Sequence, residues 1–314
     1  MQSQHVPVFK LAGEFESAPQ VSCSLGIMAY NEETNIGRLL SALLAQQTSC
    51  CVINEIIVLA SGCTDKTEAI VREFASRNGR IKLITQPRRE GKASAINLFL
   101  RHTQSDIVVL ESADTLPEPT TIENLVAPFI DPGIGMTGGH PIPTNDPGTF
   151  MGFAAKLLWA LHHEIALQQP KLGEIIAFRR IFYRIPYNSA VDEASIEPLI
   201  RGQGYGLRYV PTAVIYNRGA DSVRDFLKQR RRIHAGHLKM RREQGYAVST
   251  MSGTRILGAL LRNWHWRPRY LLWTPLVIAL ETYARMLGWL DLRFRKRDHA
   301  VWDIAVTTKV EIAP

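Results

Sequence analysis

From Val21 onward, short apolar runs alternate with segments in which apolar residues recur at helical spacing. We predict that the first four runs are buried strands, at Val21–Met28, Ile53–Ala60, Ile81–Thr85 and Asp106–Glu111. We predict helices in the segments between them, at Thr34–Gln46, Asp65–Arg77 and Gly91–His102. Repeated strand–helix units indicate an α/β fold on a largely parallel sheet, because each helical crossover returns the chain to the same end of the sheet. Ligands are expected at the carboxyl ends of those strands.

The second half of the chain continues this alternation. Further strands are predicted at Gly135–His140, Glu174–Phe182 and Leu207–Tyr216, and helices at Val191–Arg201 and Ser222–Arg242. We divide the chain into an N-terminal extension (1–20), an α/β domain (21–218), a basic helical segment (219–250) and a C-terminal region (251–314).

Two features predict the compartment. The first 20 residues carry charges and contain no apolar run, so we expect no signal peptide. The four cysteines show no CxxC spacing, and they are too few for a disulfide framework in a chain of 314 residues. We interpret them as reduced thiols in a cytosol-like compartment.

The net charge is +8, from 37 Lys and Arg against 29 Asp and Glu, which favours an anionic partner. The charge is concentrated in one place. Between Arg218 and Gly245 the chain has nine basic and three acidic residues, a net +6. This cluster predicts a localised anion site rather than a diffuse basic coat.

The C-terminal region contains two apolar blocks, Ile256–Leu261 and Tyr270–Leu290, joined by a linker that alternates Trp and Arg. The second block has about the length needed to cross a bilayer, but it contains Glu281 and Arg285, which are costly at mid-membrane and can pair at i,i+4. Alternating Trp and Arg is typical of an interfacial anchor. We expect these helices to associate with a membrane surface. A true span and ordinary helices packed on the main domain are the alternatives.

Two strand-to-helix turns carry polar residues in a fixed order. The first is Tyr30-Asn31-Glu32-Glu33, and the second begins with Ser61-Gly62-Cys63-Thr64-Asp65-Lys66-Thr67. Taken alone, each set could simply cap the helix that follows. Together with the motifs below, they resemble glycosyltransferase family 2, whose GT-A domain has a YNE-type turn and then a G-S/C-T-D-x-T turn. The resemblance spans about residues 21 to 240, and it implies that Tyr30, Asn31, Glu32 and Ser61 border the nucleoside of a nucleotide sugar.

A lysine opens the third predicted helix, in the segment Gly91-Lys92-Ala93-Ser94-Ala95-Ile96-Asn97. A positive charge at a helix N-terminus opposes the helix dipole, so local stability does not explain it. A bound anion does explain it, because backbone N–H groups and the ammonium can share a phosphate. The family has a similar GKG-A-x-N segment, which implies that Lys92 contacts the donor diphosphate. A solvated surface lysine is the alternative.

The fourth apolar run ends in Glu111-Ser112-Ala113-Asp114. Carboxylates at the end of a strand can ligate Mg²⁺ or Mn²⁺, which then neutralises a diphosphate. The family motif here is Asp-x-Asp, and the aligned triplet starts with Ser112, so the first carboxylate is missing. The resemblance implies a metal held at Asp114 with Ser112 beside the donor. Glu111 would compensate only if a bulge turned it toward the site.

An acidic pair, Asp192-Glu193, opens the helix predicted at Val191–Arg201. The family places a Glu-Asp pair here, and its second carboxylate is the catalytic base. Glu193 matches the base by position and Asp192 by residue type, so both are candidates. An inverting transfer needs one general base, opposite the leaving nucleotide, to deprotonate the attacking hydroxyl. The alternative is an acidic helix N-terminus that only complements the dipole.

The basic segment contains Gln229-Arg230-Arg231-Arg232-Ile233. The family's Gln-x-x-Arg-Trp motif is matched at Gln229 and Arg232, with Ile233 in place of Trp. The resemblance implies that Arg232 meets the diphosphate, to which a guanidinium is suited because it binds oxygens bidentately. A solvated basic face or a membrane-phosphate patch is the alternative.

The resemblance implies an inverting glycosyltransferase that moves a sugar from a nucleotide diphosphate sugar to a hydroxyl or lipid-linked acceptor, in glycan or glycolipid synthesis. Its cofactor would be Mn²⁺ or Mg²⁺. The expected partners are the nucleotide sugar, the acceptor and a membrane surface at its cytoplasmic face, with no nucleic acid. The donor base stays open between UDP and GDP, because Ala60-Ser61-Gly62-Cys63 lacks the aspartate with which family members commonly contact uracil.

Two other functions are compatible with parts of the sequence. The residues at Ala60, Ser112 and Ile233, which replace two acids and a Trp of the family, would suit a catalytically weak GT-A-fold binding module at the membrane. A basic nucleic-acid binder would use the stretch 218–242 and would lose affinity steeply with salt. That function leaves the strand-end motifs unexplained.

Overall fold

The computed structural model describes residues 21–187, 191–264 and 266–295, without the side chains of Asp192 and Arg295. The predicted N-terminal extension, His265 of the Trp–Arg linker and the tail after residue 295 lie outside this part of the chain. The strands are β1 (Val21–Ala29), β2 (Cys51–Ser61), β3 (Ile81–Gln86), β4 (Ile107–Ser112), β5 (Leu116–Pro117), β6 (Ile134–Pro143), β7 (Ile176–Arg179) and β8 (Gly206–Asn217). The helices are α1 (Ile36–Leu44), α2 (Thr67–Arg77), α3 (Lys92–His102), α4 (Thr121–Val126), α5 (Phe150–Gln168), α6 (Asp192–Gly202), α7 (Val223–Gln244), α8 (Gly253–Arg262) and α9 (Pro268–Leu290). Short helical turns follow α4, α7 and α9, at Ala127–Ile130, Ser249–Met251 and Asp291–Arg295.

The eight strands form one sheet in the order β3-β2-β1-β4-β7-β6-β8-β5. β1 pairs in parallel with β2 and β4, β2 pairs in parallel with β3, and β6 pairs in parallel with β8. β7 is antiparallel to both β4 and β6, and β5 is antiparallel to β8. This mixed, mostly parallel sheet confirms the predicted α/β fold.

The seven predicted strands are all present, but the strand predicted at Glu174–Phe182 begins only at Ile176, because the chain makes a tight turn at Glu174. The sequence patterns do not reveal β5 or α4, and they indicate a helical stretch at His162–Glu164 without giving the bounds of α5. β5 and α4 have two and six residues, which is too short to show a period. α5 buries residues around most of its circumference, so it lacks the apolar stripe that marks an amphipathic helix.

Helices cover both faces of the sheet. On one face, Leu25 and Ile27 of β1 share a buried cluster with Leu39 of α1. On the other face, α3 and α6 pack in a second buried cluster. Gly26 lies against α3, and a Cβ there would lie 2.8 Å from the ring of Phe99, so glycine permits this close approach. α3 begins directly after β3, and its N-terminus therefore lies at the carboxyl edge of the parallel strands.

The C-terminal helices pack on α5 and α7 and share a third buried cluster with them. Ion pairs join α7 to the C-terminal segment: Arg230 donates two hydrogen bonds to Glu281, at 2.7 and 2.8 Å, and Arg231 pairs with Asp291. Arg285 Nε also donates to Glu281 over 2.8 Å, which confirms the i,i+4 pair expected from the sequence. Two cations thus neutralise one carboxylate between the two helices.

The outer face of α8 and α9 exposes large apolar side chains, among them Leu257, Leu261, Leu272, Leu276, Met286 and Trp289. Trp264 and Trp266 are exposed in the linker between these helices. Of the helices in the described part of the chain, none combines the length and the apolar character that crossing a bilayer requires.

We predict that Gly288 is required for the packing of α9 on α7. A Cβ at Gly288 would lie 2.6 Å from the carbonyl oxygen of Arg231 and 3.1 Å from the amide nitrogen of Ala235. Gly288→Ala should therefore lower the free energy of unfolding by about 1–3 kcal/mol. Gly258→Ala on α8 is the matched control, because it should stabilise the helix by roughly 0.5–1 kcal/mol. Urea unfolding measures both, and a Gly288→Ala variant as stable as the wild type would contradict this packing.

Candidate active site

A cavity of about 430 Å³ lies where α3, α5, α6 and α7 meet the end of β4. Six of the predicted site residues line it: Lys92, Ser112, Asp114, Glu193, Gln229 and Arg232. Other parts of its wall are apolar side chains of α5, α7, α8 and α9, such as Leu161, Ile165, Phe226, Leu260 and Val277. The cavity therefore joins the polar groups predicted to act on a donor to an apolar space bounded by the C-terminal helices.

An ion pair between Lys92 and Glu193 connects the first turns of α3 and α6 across the cavity. Lys92 Nζ also donates to Ser112 Oγ over 2.9 Å, and the two charged side chains are only 11% and 16% exposed. Burial alone would raise the pKa of the Glu193 carboxyl, but the adjacent Lys92 ammonium holds this pKa below its usual value. Glu193 is therefore ionised at neutral pH, as a general base must be. The side chain of Asp192, the other candidate base, lies outside the described residues.

Glu174 is a cavity residue that the sequence patterns assign only to a strand. Its φ angle of 61° lies in the left-handed region, and Ile175 N donates to Gly173 O over 2.8 Å, which makes a γ-turn centred on Glu174. Burial, together with the negative charges of Asp114 and Glu193, raises the pKa of this carboxyl to about 7. A strained turn that directs an acid into a cavity is typical of functional sites.

The acidic residues of the cavity are the candidates for holding a divalent cation. Among the described residues there is no cluster of three or more His, Cys, Asp or Glu arranged to hold a metal ion. The negative charges of Asp114 and Glu193 nevertheless lie near Glu174. After burial, these charges are the next largest causes of the raised pKa of Glu174. Mg²⁺ often takes only one or two carboxylates, because substrate phosphates supply its remaining oxygens. The residues present would therefore fit a cation only if Asp114 and a bound diphosphate held it together.

Glu111 does not replace the carboxylate that is missing at Ser112. β4 pairs with β1 in unbroken register through Glu111, whose side chain is buried and accepts a hydrogen bond from Thr115 Oγ1 over 3.0 Å. Burial raises the pKa of this carboxyl to about 8, so it is largely protonated at neutral pH. No bulge turns it toward the cavity, and this compensation does not occur.

The basic run on α7 has two roles. Arg230 and Arg231 pair with carboxylates of the C-terminal segment, as described above, and Arg230 also lines the cavity together with Gln229 and Arg232. Ile233, which stands in place of the family's Trp, also lines it. Part of the concentrated positive charge is therefore paired with acidic residues of the protein itself.

The two strand-end turns bind each other. Asn31 Oδ1 accepts from Thr64 N over 2.8 Å, and Glu32 N donates to Thr67 Oγ1 over 2.7 Å. Asp65 Oδ1 accepts from Thr67 N, at the first residue of α2, over 3.0 Å. These contacts fasten one turn to the other, whereas the N-terminus of α1 at Asn35 has no side-chain cap. Neither Asn31 nor Glu32 lines the cavity.

Tyr30 and Ser61 also lie at these strand ends without lining the cavity. The Arg89 guanidinium lies 4.2 Å from the centroid of the Tyr30 ring. Ser61 is buried, and its hydroxyl accepts from Glu90 N over 3.3 Å. Tyr30 is the better placed of the two to meet a ligand, because its side chain is only partly buried.

Sequence reasoning also misses Lys171 and His237, which line the cavity from the loop after α5 and from α7. Burial lowers the pKa of Lys171, although nearby Glu197 opposes this shift. Burial also lowers the pKa of His237 well below its usual value, and the positive charge of Lys171 adds to that effect. The only signal for Lys171 and Glu174 is a pair of charges in a short loop before a buried apolar strand.

Comparison with known sequences identifies the family. The sequence profile described as Glycosyl transferase family 2 matches residues 24–198, more than half of the chain. A dolichyl-phosphate beta-glucosyltransferase of Trichomonas vaginalis is 34% identical over 101 residues, which are 31% of this chain and 31% of that protein. A glucosyl-3-phosphoglycerate synthase of Mycobacterium tuberculosis is 30% identical over 197 residues, 56% of this chain and 59% of that protein. Each of these matches spans less than two thirds of the relative's own length.

Comparison with solved structures confirms the predicted GT-A fold. The mannosyltransferase PcManGT from Pyrobaculum calidifontis, solved in complex with GDP-Man and Mn²⁺, matches with a TM-score of 0.63 at 21% identity. The match covers 91% of this chain and 92% of that chain. The sequence profile, which matches more than half of the chain, shows that this chain belongs to glycosyl transferase family 2.

Proposed function

We propose that the protein moves a sugar from a nucleotide diphosphate sugar to a hydroxyl or lipid-linked acceptor, with inversion at the anomeric carbon. The observation that carries this proposal is the single cavity that unites Asp114, Lys92 and Arg232 with the ionised carboxylate of Glu193. The first three would hold a diphosphate and the fourth would receive a proton, which are the two requirements of an inverting transfer. The glucosyltransferase and synthase relatives support a role in glycan or glycolipid synthesis.

In the proposed reaction, the acceptor hydroxyl attacks the anomeric carbon from the side opposite the diphosphate. Glu193 takes the hydroxyl proton as the new C–O bond forms and the bond to the diphosphate oxygen breaks. Lys92 and Arg232 stabilise the negative charge that develops on the departing diphosphate. The products are the glycosylated acceptor and a nucleoside diphosphate.

The Lys92–Glu193 pair couples donor binding to the basicity of the Glu193 carboxylate. Both groups face one cavity, so a diphosphate would compete with Glu193 for the Lys92 ammonium. Loss of that partner raises the pKa of Glu193, because the ammonium is what holds it low. Glu193 would thus become a stronger base only after the donor has bound.

Two further roles complete the proposed donor site. A divalent cation, Mn²⁺ or Mg²⁺, would supply positive charge at the diphosphate when held by Asp114. Tyr30 would border the nucleoside, with Asn31, Glu32 and Ser61 supporting its turn through the hydrogen bonds described above.

We predict that Glu193→Gln lowers sugar transfer by about 100-fold or more, because an amide cannot accept the hydroxyl proton. Nucleotide binding should persist in this variant. Released nucleoside diphosphate, measured with UDP-sugars and GDP-sugars as donors, reports the rate. Glu73→Gln on α2 is the matched control, because Glu73 is exposed and lies outside the cavity. Full activity in Glu193→Gln would remove this residue as the base.

We predict that Asp114→Asn lowers metal-stimulated transfer by about 100-fold or more, because a neutral amide binds a divalent cation weakly and the diphosphate loses charge stabilisation. The measurement is the rate against Mn²⁺ concentration. The same exchange at the exposed Asp131, outside the cavity, should leave the rate unchanged. Identical metal dependence in Asp114→Asn and the wild type would disprove the metal assignment.

We also propose that the outer face of α8 and α9 lies on the cytoplasmic surface of a membrane. Its exposed leucines would enter the acyl boundary, and Trp266 in the linker is a residue type enriched at the interface. Arg267 and Arg269 follow it directly and would meet anionic headgroups.

We predict that the protein floats with vesicles that contain phosphatidylglycerol and that Leu272→Asp weakens this binding. Leu272 is 63% exposed on α9, and an aspartate there would face the acyl boundary and the anionic headgroups. Ile130→Asp is the matched control, because Ile130 is 54% exposed and lies after α4, away from the C-terminal helices. Equal flotation of the two variants would argue against this surface.

A further inference from the structure

Two histidines of the cavity have no role in the proposed transfer. His162 of α5 and His237 of α7 both line the cavity, and they are only 8% and 7% exposed. Neither ring nitrogen of His162 has a hydrogen-bond partner in the described part of the chain. His237 likewise makes no hydrogen bond to the residues that the structure describes. Leaving a buried polar group without a partner costs about 1–3 kcal/mol, which suggests that a ligand pairs with these rings.

Both rings are uncharged at neutral pH. Burial lowers the pKa of each ring well below its usual value, and the positive charges of Lys171 and Arg230 add to this effect at both. These shared neighbours place His162 and His237 in one region of the cavity. A neutral imidazole has one N–H donor and one nitrogen acceptor. The region therefore suits a group that both donates and accepts hydrogen bonds, such as a hydroxyl.

The charged groups around the two histidines balance one another. Three cations act on the rings and three carboxylates lie against those cations: Lys171, Arg230 and Arg285, with Glu174, Glu197 and Glu281. Glu281 accepts hydrogen bonds from Arg230 and Arg285. The negative charges of Glu197 and Glu174 act on Lys171. An anionic ligand would leave this region with a net negative charge, which is unfavourable in an enclosed site, whereas an uncharged ligand keeps the balance.

Apolar side chains form another part of the same enclosure. α5, α7, α8 and α9 share a buried cluster, and several of its members also line the cavity, among them Leu161, Phe226, Leu260 and Val277. A hydrocarbon chain would cover these side chains, and each Å² of apolar surface removed from water contributes about 25 cal/mol. Glu193 lines the cavity too, so the ligand and the proposed base share one enclosure.

We propose that His162 and His237 form an acceptor subsite for an uncharged amphiphilic alcohol. The hydrocarbon part of the alcohol covers the apolar wall, oxygens of its head pair with the two imidazole rings, and one further hydroxyl faces Glu193. A head with three oxygens meets these requirements, as in a neutral glycerolipid. The inference rests on the proposed sugar transfer, and it adds the chemical class of the acceptor.

The chemical step is the one proposed above. The hydroxyl oxygen of the alcohol bonds to the anomeric carbon, its proton passes to Glu193, and the nucleoside diphosphate leaves with the electron pair of the broken C–O bond.

The test is isothermal titration of the full chain at pH 8 with two eight-carbon probes below their micelle concentrations, 1-octanoylglycerol and octyl phosphate. At this pH the Glu174 carboxyl, with a pKa of about 7, is mostly ionised. The neutral probe should bind the wild type at least tenfold more tightly than the anionic probe.

His237→Phe should weaken the binding of 1-octanoylglycerol roughly tenfold, because phenylalanine keeps a ring but removes its hydrogen-bonding atoms. His162→Phe is a second variant with the same expected result. His102→Phe, at the exposed end of α3 and outside the cavity, is the matched control and should bind as the wild type does.

Three readouts separate this subsite from a structural role and from the donor site. The melting temperature of His237→Phe should equal or exceed that of the wild type, since the change removes a buried polar group without a partner. The binding of a nucleoside diphosphate with Mn²⁺ should stay the same in this variant. In the wild type, 1-octanoylglycerol should increase the release of nucleoside diphosphate from UDP-sugars or GDP-sugars, and in Glu193→Gln it should not.

The proposal is overturned if 1-octanoylglycerol does not bind, if octyl phosphate binds as tightly or more tightly, or if both histidine variants bind the neutral probe as well as the wild type. Binding of the neutral probe without increased release of nucleoside diphosphate would remove its role as an acceptor. Nucleotide binding without binding of 1-octanoylglycerol would sink the subsite alone. Absence of nucleotide binding would instead count against the sugar transfer itself.

Discussion

The ion pair between Lys92 and Glu193 is the contact on which the candidate site depends. It joins the N-termini of α3 and α6, two helices that share a buried cluster on one face of the sheet. A lysine at a helix N-terminus is unfavourable, and Glu193 offsets that cost in the free protein. Buried ion pairs add little net stability, so this one is better explained by what it positions. In the proposed reaction it would place a cation for the diphosphate and a carboxylate for the proton within one enclosure.

The C-terminal helices complete that enclosure rather than standing apart from it. α9 binds α7 through Arg230 and Glu281, and Gly288 lets the two helices approach closely. Their inner faces supply the apolar wall of the cavity, while the outer face of α9 exposes apolar side chains. α8 and α9 therefore connect the apolar part of the cavity with the proposed membrane surface.

Sequence patterns predict those features that a short segment of the chain forms by itself. The strand-to-helix turns and the lysine at the start of α3 follow from short segments, and the resemblance to the family indicated Asp114 and Glu193. Glu174 could not be predicted, because its orientation depends on a γ-turn and its raised pKa depends on burial and on the charge of Asp114, which lies far away along the chain. Lys171 could not be predicted either, because it enters the cavity only where α5, α6 and α7 pack together. The pairing of Arg230 and Arg231 is not predictable for a similar reason: their carboxylate partners lie 51 and 60 residues later in the chain.

Thermal unfolding against a panel of nucleotides tests the existence of the donor site most directly. The wild type and Asp114→Asn would be heated with UDP, GDP, CDP, ADP or dTDP, each with and without Mn²⁺. A ligand at about 100 times its Kd stabilises the native state by roughly 2.7 kcal/mol, which is readily measured. We expect one nucleotide with Mn²⁺ to raise the melting temperature of the wild type and to leave Asp114→Asn unchanged. No shift with any nucleotide, in detergent as well as without it, would contradict a nucleotide-sugar site and favour a binding module instead.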